Sequence, residues 1–162
     1  MTGAQFHIRE ARLPDDEAVM CGFIDGLQKF EHAFEPDRRI DARAGADYLP
    51  HLLTRVKKND GKVFIAEEGG RPVGWAVFHT HDNMIYVVEG ERHYGYIAEL
   101  FVEEASRGHG IGRALIAACE EAARALKLKL IMIGVVADNS RARKTYEAAG
   151  FRNYAIELRK YL

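Results

Sequence analysis

Arg107-Gly108-His109-Gly110-Ile111-Gly112 is the stretch whose residue types and spacing could do chemistry through the main chain. Glycines let backbone approach a ligand closely. From Gly110 to Leu126 the apolar positions Ile111, Leu115, Ile116, Cys119, Ala122, Ala123 and Leu126 form a helical stripe, so the loop opens a helix. A helix start leaves its first N–H groups unpaired at the positive end of the dipole, which makes this loop an anion cradle. The dipole alone is worth only about 0.3–1 kcal/mol when exposed. Convergent N–H bonds and Arg107 must therefore supply most of any phosphate affinity. Spacing narrows the ligand. A dinucleotide fingerprint opening at Gly108 needs Gly or Ala at position 113, where Arg113 stands, and an acid about twenty residues on, where Ile131 to Val136 is apolar. A nucleoside-triphosphate loop needs Gly-Lys followed by Ser or Thr at the helix start, and the chain has none. NAD, ATP and GTP are all disfavoured.

Other polar residues offer less specific chemistry. Glu99 lies in an apolar run, and strand alternation puts it on one face with Ile97 and Phe101, where an ionised carboxylate is costly without a cavity or partner. A bulge would change that face. His79 and His81 share strand parity and stand near Asp82, yet no third ligand is evident, so no metal site is expected. Cys21 and Cys119, far apart and each in a helical pattern, supply neither a disulfide framework nor a metal pair. Glu31, His32, Glu35, Arg38 and Arg39 form a charge run that most simply reads as a solvated face.

The elements that must position these residues follow from periodicity. Gln5 to Arg9 reads as a first strand, and Pro14 to Glu17 opens a helix carrying Val19, Phe23, Ile24, Leu27 and Phe30 on one stripe. A second helix is expected over Asp47 to Lys58, with Pro50 tolerated in its first turn. Lys62 to Glu68 and Val73 to His79 form a hairpin, which Met84 to Val88 and Tyr94 to Val102 extend into a meander. Leu128 to Ala137 reads as a central strand covered on both faces. Asp138, Asn139 and Ser140 can cap a last helix ending near Ala149, with Gly150 at its C-terminus and Phe151 to Tyr161 as a closing strand. The order predicts an α/β domain, 1–162, with a mixed sheet and one parallel crossover through the Gly110 helix.

Arg107, Gly110 and Gly112 fill a pattern of Gln or Arg, two residues, Gly, one residue, Gly or Ala. In this the chain resembles the acetyl-coenzyme A loop of the GNAT superfamily of N-acetyltransferases. The resemblance continues in Ile97-Ala98-Glu99-Leu100-Phe101-Val102, which looks like that family's fourth strand, and in Val136-Ala137-Asp138-Asn139, Tyr146 and Gly150-Phe151. It covers the chain from about Val63 onward, while the first sixty residues match only in having two helices. It implies a mixed sheet whose fourth and fifth strands splay, with pantetheine lying between Leu100 to Val102 and Leu130 to Val136 like an added strand. Acetyl-CoA would be held by Leu100, Phe101 and Val102, by the loop residues Arg107, Gly108, His109, Gly110, Ile111, Gly112 and Arg113, and by Asn139, which also reads as a helix cap. The N–H of Leu100 or Phe101 would face the thioester oxygen. The family relation further implies direct attack by the acceptor amine. Such an amine has a pKa near ~10.4 and needs a base or water chain, for which Glu99 is the leading candidate and a histidine the alternative. The departing thiol, with a pKa near ~8.5, would benefit from a proton donor at Tyr146. The charge run at Glu31 to Arg39 falls where the family's acceptor pocket is bordered, suggesting a polar or zwitterionic acceptor.

The balance of 23 basic against 24 acidic residues gives a net charge of -1, so no global drive toward nucleic acid or anionic membrane exists. Neither a signal peptide nor a spanning segment is indicated, which predicts a cytoplasmic protein. The expected activity is acetyl-CoA-dependent N-acetylation of a small-molecule or peptide amine. The alternative is a non-catalytic acyl-CoA-binding regulatory module. Dimers are common in the superfamily, which leaves a homodimer open.

Overall fold

The computed structural model describes residues 5–162. Among these residues five strands form one sheet in the order β1-β2-β3-β4-β5: β1 (Phe6–Glu10), β2 (Lys62–Glu68), β3 (Arg71–Asp82), β4 (His93–Val102) and β5 (Ile131–Ile133). The first four pair antiparallel, and β5 joins β4 parallel through a crossover helix. Helices α1 (Glu17–His32), α2 (Ala44–Lys58), α3 (Glu89–Arg92), α4 (Ile111–Ala125) and α5 (Ser140–Ala148) complete the fold.

Period-two alternation on β2 and β3 divides the core between the faces of the sheet. Ala66, Ala76 and Phe78 point to one side, where Leu115, Ile116 and Cys119 of α4 bury them. Ile65, Trp75 and Val77 point to the other, against Phe23 and Ile24 of α1 and Leu49 and Leu52 of α2. The α4 stripe is the one its 3.6-residue spacing predicts.

Several expectations are corrected. Met84 to Val88 is not a strand: β3 runs to Asp82 and pairs directly with β4 from His93, so these residues belong to the intervening connection with α3. Helix α2 begins at Ala44, a turn before Asp47, and Pro50 lies inside it. That early turn is held by tertiary contact, with Asp25 accepting from the Gly45 N–H at 2.8 Å. The carbonyl that Pro50 leaves unbonded is that of Ala46, which is exposed and open to water. Leu128 to Ala137 is no central strand. Only Ile131–Ile133 is β, half-buried at the edge of the sheet.

The closing strand expected over Phe151 to Tyr161 is also absent. Its alternation exposes Ile156 (82%) and Leu158 (94%), and a strand needs a partner that this segment does not meet among the described residues. Arg159 instead reaches the connection after α1, pairing with Glu35 and, at 2.5 Å, with Asp37.

The register between β3 and β4 slips at Ala98: Val77 pairs with Glu99 but Phe78 pairs with Ile97. This bulge puts Ile97 in the α4-side cluster and Phe101 against the α1/α2 side. Glu99 therefore does not share a face with Ile97. Its carboxylate meets α2.

Candidate active site

Strands β4 and β5 pair only through Gly95–Ile131, Tyr96–Met132 and Ile97–Ile133. Past Ile97, β4 continues with β3 alone, and a cleft of about 840 Å³ opens between it and the segment Ile133 to Val135. Glu103 donates its N–H to Val73 at 2.8 Å, and antiparallel alternation then turns Phe101 toward β3 and the main chain of Leu100 and Val102 toward the cleft. Consistent with that parity, the Val102 carbonyl is bonded by a side chain and not by β3.

The floor of the cleft is the glycine loop. Gly108 and Gly110 both have φ +88°, and a side chain added at either would meet open space. Left-handed backbone, not crowding, is what calls for glycine here. Gly110 precedes α4 with no side-chain cap, so the first-turn amides of Ile111, Gly112 and Arg113 lack both an intrahelical acceptor and a cap.

Arg107 is not the outward cation expected. Its Nε donates to the Val102 carbonyl at 2.8 Å, and its guanidinium lies 4.9 Å from the Phe30 ring centroid and 5.7 Å from that of Phe101. Burial, with Arg141 nearby, lowers its pKa. The cations on the cleft wall include Arg113, Arg141 and Lys144. His109 is the one residue from Arg107 to Arg113 that does not line the cleft, and its ring lies 3.9 Å from Glu68. Glu68 in turn accepts from the Ser106 hydroxyl at 2.6 Å, tying the approach to the loop back to β2.

Glu99 is only 8% exposed and lines both the main cleft and a second cavity of about 450 Å³ bounded by Tyr48, His51, Asp47 and Arg39. The Tyr48 phenol donates to Glu99 Oε1 at 2.7 Å. Burial raises the Glu99 carboxyl to about 7, against the opposing pull of the Tyr48 bond. Glu31 and Arg38 also line the main cleft, ion-paired at 2.9 Å, while His32 Nδ1 donates to the Arg38 carbonyl at 2.9 Å.

On the opposite wall Tyr146 packs edge-on to Phe151, and its phenol makes no hydrogen bond among the described residues. Burial pushes its pKa upward. Asn139 Oδ1 accepts from Ala142 N–H at 3.1 Å, so the cap reading holds for that oxygen, and the residue also borders the cleft. The Cys119 thiol is fully buried and pushed up to about 12, which leaves it no nucleophilic character. His79 Nδ1 is engaged with the Thr80 carbonyl, His81 accepts from the Asp82 N–H, and Asp82 pairs with His93. Among the described residues no helix is long and apolar enough to cross a membrane.

The model of the acetyltransferase (GNAT) family matches residues 25–151, which include every residue that lines the cleft. The chain belongs to the GNAT family. It is 36% identical over 145 residues to an uncharacterised N-acetyltransferase of Archaeoglobus fulgidus, covering 90% of this chain and 92% of that one. With the uncharacterised N-acetyltransferase YycN of Bacillus subtilis it shares 30% identity over 118 residues, 73% of this chain and 66% of the relative. The chain thus spans just under two-thirds of that relative's length. The fold matches a predicted acetyltransferase with acetyl-CoA from Clostridium acetobutylicum at a TM-score of 0.71, with 20% identity over 97% of this chain and 96% of the other.

Within this GNAT chain, sequence reasoning missed Tyr48, Arg141 and Lys144. Tyr48 carries no local signal, since its partner lies 51 positions away. Arg141 and Lys144 do carry one. The first turn of α5 has no acid, although helix N-termini favour acids, and basic residues there invite an anionic ligand.

Proposed function

We propose that this chain transfers acetyl from acetyl-CoA directly to an amine, with no acyl-enzyme. The observation that carries this reading is the position of Glu99, in the wall between a cleft ending at the uncapped start of α4 and a second cavity. The amides from Gly108 to Arg113 would hold the diphosphate, with Arg113, Arg141 and Lys144 around it. Pantetheine would lie along β4, bonding the main chain of Leu100 and Val102, with Asn139 across the cleft. The parity of β4 favours the Leu100 N–H over that of Phe101 as donor to the thioester oxygen.

The acceptor amine enters from the second cavity. A carboxyl with a pKa of about 7 is half ionised near neutrality and suited to take a proton there, which supports Glu99 as the base. Tyr146 donates a hydrogen bond from its phenol to the departing sulfur. The acceptor is a small-molecule or peptide amine, and the mixed charges of Asp37, Arg38, Arg39 and Asp47 around the second cavity suit a polar one.

Calorimetry with acetyl-CoA tests the cofactor half. Gly110→Trp fills the cradle and should abolish binding, and unchanged affinity would overturn the assignment. Release of free thiol with members of an amine panel tests the transfer. Tight binding with no turnover across the panel would favour the non-catalytic acyl-CoA-binding alternative.

A further inference from the structure

Glu99 is held at one oxygen only. Tyr48 donates to Oε1, and Oε2 makes no hydrogen bond among the described residues. Helix α2 cannot easily rotate Tyr48 away. Leu49 and Leu52 beside it are buried in the core, and a Cβ at Gly45 would come within 2.6 Å of the Cys21 carbonyl, so α1 and α2 touch backbone to backbone at that turn. The phenol is itself raised in pKa, by burial first and by the Glu99 charge second, and therefore remains a donor around neutral pH.

We propose that Tyr48 is a positioning residue for Glu99, fixing the carboxylate in the wall between the two cavities and leaving Oε2 as the atom that takes the amine proton. The inference rests on Glu99 being the base. In the transfer, the amine nitrogen forms its bond to the thioester carbon as the C–S bond breaks. The proton shed by nitrogen goes to Oε2, and the sulfur leaves with the bonding pair to be protonated in turn. With Oε1 already accepting a hydrogen bond and Oε2 free of any among the described residues, Oε2 is the more basic and open site for the incoming proton.

The other groups facing this carboxylate are few. Glu31 of α1 raises its pKa, whereas Arg38 after α1 and Arg55 of α2 lower it. His51 of α2 shares the second cavity, and Tyr96 of β4 titrates under its influence. None of these is within hydrogen-bonding distance of the carboxylate, so Tyr48 is its one direct partner among the described residues.

The test is a ¹³Cδ titration of the full chain labelled at glutamate, with the Glu99 signal assigned by its loss in Glu99→Gln. The wild-type midpoint should lie near 7, and Tyr48→Phe should raise it by about one pH unit because the ionised form loses its donor. Acetyl-CoA affinity, read by calorimetry, should not change. An unmoved midpoint in Tyr48→Phe overturns the proposal. A wild-type midpoint in the ordinary carboxylate range instead overturns the reading of Glu99 as base. Should Tyr48→Phe not fold, incorporation of 3-fluorotyrosine strengthens the donor and should lower the midpoint, and no movement there overturns the proposal equally.

Discussion

Arg107 Nε donates to the Val102 carbonyl across 2.8 Å, tying the glycine loop to the last residue of β4. The bond joins the two surfaces proposed to hold acetyl-CoA, and it uses an N–H, not the charge. An amide side chain can make the same donation. Arg107→Gln should therefore keep acetyl-CoA affinity, while Arg107→Leu should weaken it about 2- to 10-fold, the worth of one hydrogen bond. Calorimetry decides, and equal losses in both variants would mean that the charge itself binds phosphate.

Glu99 sets opposite demands on rate and stability. As a base it works ionised, so kcat/KM should rise about tenfold per pH unit below 7 and level off above it, a limb that Glu99→Gln removes along with about 10²-fold or more of the rate. For folding the sign is reversed. The native carboxyl, raised from 4.5 to about 7, binds more protons than the unfolded one within that window, so its contribution to stability falls as pH rises from about 4.5 to 7. The rise corresponds to about 3 kcal/mol. Glu99→Gln can still accept from Tyr48, and it should unfold at a higher temperature than the wild type at pH 8 while matching it more nearly at pH 4.5. A thermal melt at each pH checks this.

Tyr146 is a weaker acid than the thiol it is proposed to serve, since burial lifts it above its ordinary value near ~10 while a free thiol sits near ~8.5. Its phenol can donate a hydrogen bond to developing thiolate more readily than it can give up the proton outright. Tyr146→Phe should then lower kcat by about 10- to 100-fold, the worth of a bond to a charged group, with acetyl-CoA affinity nearly intact. An unchanged kcat would remove Tyr146 from the reaction.

What could be read in the sequence was what is local. The left-handed glycines Gly108 and Gly110 and the α4 stripe depend on neighbours within a few positions and stand as expected, whereas the inward turn of Arg107 onto Val102 and Phe30 depends on contacts made only in the folded chain. The face of Glu99 was not legible, because the bulge at Ala98 depends on the register with β3. Tyr48 was not legible because α2 and β4 meet only in the folded chain. Leu128 to Ala137 misled for another reason: Ile133, Gly134 and Val135 border the cleft, so part of its apolar character serves the cleft wall where a covering helix was expected. At Tyr154, Ile156 and Leu158 the alternation is genuine, but alternation cannot supply a pairing partner.

Arg141 stands in the first turn of α5, where the helix dipole disfavours a cation, and it lines the cleft beside Lys144. A residue that costs the helix stability at that position makes sense if an anion lies in front of it. Arg141→Glu separates the two effects. The acid suits the helix end and removes the repulsion felt by Arg107, so the melting temperature of the free protein should rise by about 1–3 °C. Acetyl-CoA affinity should fall by about tenfold, and its dependence on salt should weaken, since a cation facing phosphate has been lost. A variant that melts higher and binds as before would show that Arg141 faces solvent alone, and would move the diphosphate away from α5.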